Sequence, residues 1–132
     1  MNKAPKITTT EWELMQVIWA AKSPISAFEI IERLNAAEPG WHRKTVRALL
    51  ARLVAKKALG YQAHGRVYFY YPLVPESDCV AAASDSFLDR VFGGAIEPML
   101  AHFVGRYQLS KKGADDLRRL LREGKRDDKK EK

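Results

Sequence analysis

Apolar side chains return every three or four positions in three successive blocks of the first 57 residues, and the pattern then changes from a helical period to an extended one. Ile7, Thr8 and Glu11 announce the first block: a Thr N-cap with Glu three residues on forms a capping box, and Ile7 can staple onto Trp12. A helix is predicted to about residue 21, with Trp12, Met15, Ile18 and Trp19 inward. After Pro24 the signature repeats, with Ser26 as N-cap, Glu29 three positions later and Ile25 stapling onto Ile30. This second helix runs to about residue 37, closed by Pro39 and Gly40. The third covers residues 43–57, with Val46, Leu49, Leu50, Leu53 and Val54 as one apolar stripe. Residues 59–63 and 66–71 then have strand character, with His64 and Gly65 between them as a tight hairpin turn.

Pro72 and Pro75 bracket a linker into a second, wholly helical half. Val80, Ser84, Phe87, Leu88 and Val91 outline a helix stopping at Gly93 and Gly94. Ile96, Met99, Leu100, Phe103 and Val104 outline another, with Pro98 tolerated in its first turn. Ser110 caps a last helix through Leu117, Leu120 and Leu121 to Gly124. Residues 125–132 hold no apolar side chain and are expected to be disordered. The expected fold is mainly α: a winged helix-turn-helix of three helices plus a two-stranded wing over residues 1–74, then a helical dimerisation segment over 75–124.

About fifty residues carrying Phe87, Phe92, Met99, Phe103 and Tyr107 are too few for an adequate private core. Their simplest partner is the same segment of a second chain, since two-fold homodimers are the commonest assembly. The expected contact faces are Phe87, Leu88, Val91 and Phe92 on the first of these helices and Met99, Leu100, Phe103 and Val104 on the second. Leu117 and Leu121 supply the third. Packing of the segment back onto the winged half of a monomer is the alternative.

Charge changes the picture most. Residues 39–75 contain no Asp or Glu yet carry Arg43, Lys44, Arg47, Arg52, Lys56, Lys57 and Arg66. The first 74 residues hold 11 Lys/Arg against 5 Asp/Glu, whereas the remaining 58 hold 12 against 11. An excess of one sign confined to one half points to a polyanion, and a helix that is apolar inside and basic outside fits the DNA major groove. His42, Arg43, Lys44, Thr45 and Arg47 sit at the end of the third helix that would reach base edges, Arg52 one turn or more further on, and His64 and Arg66 at the wing. A winged-helix protein-interaction module and a non-specific nucleic-acid binder are the competing readings.

Other chemistry finds little support. His42, His64 and His102 lack close metal-ligand spacing, and there is no phosphate loop, nucleophile elbow or HExxH helix, so neither enzyme, metal site nor cofactor is expected. The aromatic residues of the strands are expected to pack across the sheet rather than to stack on bases. A lone cysteine, Cys79, is a packing residue, and with no long apolar run the chain is expected in the cytoplasm.

The segments EWELMQVIW, KTVRALLARLVAKKALGY, GRVYFYYPLV, SFLDRVFGG and PMLAHFV, in that order, resemble the penicillinase repressor family over nearly the whole chain. The resemblance implies a homodimeric repressor on an inverted-repeat operator, controlling β-lactam resistance genes. By it Lys44, Thr45 and Arg52 are the recognition-helix positions most expected to contact the operator, with Arg66 in the wing. It also implies relief by proteolysis between His102 and Phe103, triggered through a membrane-bound sensor protease. No small-molecule effector is implied. Two departures stand out: His42 replaces the usual serine N-cap, and His102 replaces a frequent asparagine.

Overall fold

Thr8 accepts the Glu11 amide at 3.2 Å while its own amide donates to the Glu11 carboxylate at 2.9 Å, so the predicted capping box opens α1 (Thr9–Ala21). The computed structural model describes residues 4–131, with the backbone alone for 125–131. The chain continues through β1 (Ile25–Ser26), α2 (Ala27–Ala37), α3 (Arg43–Ala55), β2 (Leu59–His64) and β3 (Val67–Pro72), then α4 (Glu76–Phe92), α5 (Ile96–Arg106) and α6 (Lys111–Glu131). Two compact units, Met1–Phe87 and Leu88–Lys132, divide it within α4.

In the first unit the apolar stripes converge on one core. Leu14, Met15 and Ile18 of α1 meet Ile30 and Leu34 of α2 and Val46, Leu49, Leu50 and Leu53 of α3, closed by Ile25, Ala58 and Leu59. The inner face of α1 departs from expectation. Leu14 and Glu11 are buried, whereas Trp12 and Trp19 are half-buried and meet edge to face at 5.7 Å. Trp19 also donates its indole N–H to the Val74 carbonyl at 3.0 Å, tying the exit of the wing to α1.

The sheet has three strands in the order β1-β3-β2, all antiparallel, where the sequence predicts two. The extra strand is only Ile25–Ser26, paired with Tyr70 and Phe69, and two residues are too short to show an alternating pattern. The hairpin turn falls one residue later than predicted. His64 pairs with Val67, leaving Gly65 and Arg66 as the loop. Gly65 has φ 67°, a left-handed conformation glycine adopts without a Cβ penalty, so the turn forms around it and His64 stays in the strand. The turn therefore carries Arg66 at its tip. Lower in the hairpin the Tyr71 ring lies over Gly60, where an added Cβ would meet it at 2.7 Å.

α3 ends at Ala55, two residues before the predicted end. Lys57 adopts φ 66°, its amide returns to the Val54 carbonyl at 3.0 Å, and the Ala58 amide returns to Leu53 at 2.9 Å. This pair of bonds is the Schellman closure that usually recruits glycine, and a lysine in that place hides it from sequence inspection.

Within α4 Cys79 is buried at 2% exposure, and burial followed by the neighbouring Asp78 charge pushes its thiol up. Such a thiol behaves as a packing group. In the second unit, Ser110 accepts the Gly113 amide at 2.9 Å and caps α6 as expected. α6 continues to Glu131 where the sequence predicts an end at Gly124 and a disordered tail. Residues 125–131 hold no proline, and Lys, Arg and Glu are good helix formers, so nothing in them stops the ladder. α5 buries no residue, and Val91, Ile96, Val104, Leu120 and Leu121 are each at least half exposed. Asp115 and Asp116, at the start of α6, pair with Arg118 and Arg119.

Candidate nucleic-acid interface

Because Val46, Leu49, Leu50 and Leu53 point into the core, the 3.6-residue period turns Arg43, Lys44, Thr45, Arg47, Ala48, Ala51 and Arg52 outward, and all seven are exposed. His42 stands at the N-cap in extended conformation and makes no side-chain capping bond. The first amides of α3 thus lack a side-chain partner, leaving a partial positive charge beside three cationic or polar side chains.

Asn35 of α2 holds the turn that delivers this end. Its carboxamide oxygen accepts the Gly40 amide at 3.1 Å and the Trp41 amide at 2.8 Å, and its nitrogen donates to the Trp41 carbonyl at 3.3 Å. The sequence reading missed Asn35, for which the only cue was a polar residue ahead of a Pro-Gly turn. Asn35→Ala strips these three bonds from a half-buried turn and is expected to cost about 1–2 kcal/mol, read as a lowered urea midpoint.

Arg47 and Arg66 converge. They line one cleft of about 580 Å³ together with Ser26, Ala27 and Phe28 at the start of α2 and Tyr68 and Tyr70 of β3. Phe28 is 70% exposed at its edge. Burial pushes the Tyr70 phenol up, while the Arg47 charge acts in the opposite direction. On the same side of the wing Tyr61 and Tyr68 stack at 4.5 Å, and Tyr70 packs on the core, so cross-strand packing accounts for these rings.

Two predicted residues lie apart from that cleft. His64 is exposed on the other face of the hairpin, edge-on to Phe69 at 5.3 Å and beside Gln62 and Pro24. Arg52 is bound to α1: its Nε and Nη2 reach one Glu11 oxygen at 3.1 and 3.0 Å. Lys56 donates to the other oxygen of Glu11 and to the Lys6 carbonyl. Glu11 itself is 0% exposed. Burial raises its pKa, but the Lys56 ammonium and the Thr8 bonds outweigh burial and hold the carboxyl below the ordinary 4.5.

A helical core that presents a cationic, uncapped helix start beside an arginine-tipped hairpin defines a winged helix-turn-helix protein of the DNA-binding class. Residues 7–123 match the family model described as Penicillinase repressor. The chain belongs to that family, whose members are transcriptional repressors and not enzymes. The penicillinase repressor of Bacillus licheniformis is 38% identical over 125 residues, 95% of this chain and 96% of that one. The methicillin resistance regulatory protein MecI of Staphylococcus aureus (strain N315) is 34% identical over 120 residues, covering 91% and 96%. Among solved structures, the solution structure of the DNA binding domain of the repressor BlaI matches with a TM-score of 0.51 and 41% identity, over 59% of this chain and 93% of that one. No helix among the described residues is long and apolar enough to cross a membrane.

Proposed function

We propose that the chain is a homodimeric transcriptional repressor that binds an inverted-repeat operator in double-stranded DNA and controls β-lactam resistance genes. The observation carrying this reading is the convergence of Arg47 and Arg66 on one cleft beside the uncapped, cationic start of α3. Arg43, Lys44, Thr45 and Arg47 enter the major groove, His42 lies against the adjoining phosphate, and Arg66 grips the flanking backbone. His64, on the Phe69 face, reaches the DNA at the rim only. The names of the two curated relatives, a penicillinase repressor and a methicillin resistance regulator, support the assignment to resistance genes.

The apolar residues left exposed on α4 to α6 support dimerisation. Val91, Val104 and Leu121 are each at least half exposed, and a second copy would cover them. The bond between His102 and Phe103 lies inside α5, where the Phe103 ring stands 6.5 Å from Phe92 and 6.1 Å from Tyr107. Its cleavage, by a membrane-bound sensor protease as the family resemblance implies, would divide the helix and release the pairing of two chains.

Fluorescence anisotropy on duplex DNA from the gene's own upstream region, against a scrambled duplex and across a salt series, tests the reading. Binding to the native duplex alone, at two chains per site and steeply weakened by salt, is the expected result. Equal binding to both duplexes would leave a general nucleic-acid protein, and binding to neither would leave a protein-interaction module.

A further inference from the structure

We propose that Glu11 is a positioning residue for the recognition helix, and that Arg52 acts on operator binding through Glu11 rather than by touching DNA. The inference rests on the DNA-binding reading of α3.

A carboxylate with no solvent exposure needs its lone pairs filled, and here every partner but one comes from α3 or its cap. One oxygen accepts the Nε–H of Arg52 and lies 3.0 Å from its Nη2 in an ion pair, and the other takes Lys56 and the Thr8 amide. Lys56 extends the tie to the Lys6 carbonyl at 2.7 Å. The first turn of α1 and the last turn of α3 are thereby joined at one charged point. The two cations are 57% and 29% exposed, so the charge that cannot be resolvated is the carboxylate, which makes Glu11 the fixed centre of the cluster.

The geometry makes this tie matter at the far end of the helix. Nine residues separate Arg52 from Arg43, about 14 Å at the helical rise, so a tilt of roughly 10° about the clamp moves the groove-entering end by about 2 Å. Hydrogen-bond reach is narrower than that. Asn35 holds the turn before α3, and Glu11 holds the opposite end, so the groove-facing residues between them are presented in one orientation. The clamp also redistributes charge. Arg52 and Lys56 share the Glu11 carboxylate, leaving Arg43, Lys44, Arg47 and Arg66 as the cations of the proposed DNA face outside that cluster.

The test uses the full chain with Arg52→Gln, Arg52→Lys, Glu11→Gln and the Arg52→Gln/Glu11→Gln pair, titrated on the upstream duplex over 50–200 mM salt, with a urea midpoint for each. The expected result is a loss of roughly 3- to 10-fold in affinity for Arg52→Gln with an unchanged slope against salt, since no phosphate contact is removed. Glu11→Gln lowers affinity and midpoint similarly, and the pair is no weaker than Glu11→Gln alone, because residues acting as one unit are not additive. Arg52→Lys, keeping a charge but not the fork, recovers only part of the loss.

A slope reduced by about one in Arg52→Gln, with losses that add in the pair, would make Arg52 a direct phosphate contact and overturn the inference. Unchanged affinity in Arg52→Gln would overturn it too. Should Glu11→Gln fail to fold, the Arg52→Gln slope and its recovery by lysine decide alone. Wild-type protein that binds no duplex would defeat the DNA reading itself, an outcome distinct from either.

Discussion

A chain ending at Phe87 is expected to retain its winged fold, sediment as a monomer and bind the full operator roughly 10²–10⁴-fold more weakly than the whole chain. The first unit keeps every residue of the three-helix core as well as the buried Cys79, so its folding does not draw on residues 88–132. A solved DNA binding domain of a relative, matching 59% of this chain, supports its independence. Affinity should fall because each half-site is then bound separately. In the proposed dimer the second contact would be intramolecular, at an effective concentration set by the linkage and not by the bulk protein. On a duplex carrying one half-site, fragment and whole chain should bind within a few fold of each other. Sedimentation of the fragment as a dimer, or undiminished binding to the full operator, would place the assembly contacts in the first unit and defeat the division of labour.

Arg47→Glu should produce the other large effect, a fall of about 100-fold or more in operator affinity with little change in stability. Removing one such cation costs roughly 1–3 kcal/mol, and reversal adds repulsion from the same phosphates. Arg47 lies on the exposed face of α3 and lines the cleft with Arg66, so the substitution places a carboxylate between the helix and the wing on the proposed DNA face. The slope of log affinity against log salt should fall by at least one, and the urea midpoint should move little, as for an exposed position outside the core. Affinity preserved in this variant would remove the N-terminal half of α3 from the interface. The contrast with Arg52 is sharp: two arginines five positions apart on one helix are expected to differ in salt slope because only Arg52 has an anionic partner from another element.

Much of this was legible in the residues. The caps at Thr8, Ser26 and Ser110, the inward stripe of α3 and the sign of its outer face all depend on neighbours three or four positions away. Sequence and structure part where a local signal is missing or is carried by an unusual residue. Lys57 takes the left-handed position glycine normally marks, which displaced the end of α3. β1 offers two residues, too few for a period. In α1, Glu11 was visible as a capping residue, but its second role was not. Its cationic partners are 41 and 45 positions away, and no periodicity links them.

The sequence by itself determined which faces of the first three helices are apolar, where those helices begin, and that the positive charge belongs to α3 and the wing. Those properties follow from side-chain type and the 3.6-residue period, which operate within one element. Only the tertiary structure decided how the cations are divided. α1 crosses the end of α3 and its buried carboxylate takes Arg52 and Lys56, while the hairpin turn at Gly65 brings Arg66 to the cleft beside Arg47. Ion pairing is set by which ends meet in space, and that depends on the whole core closing.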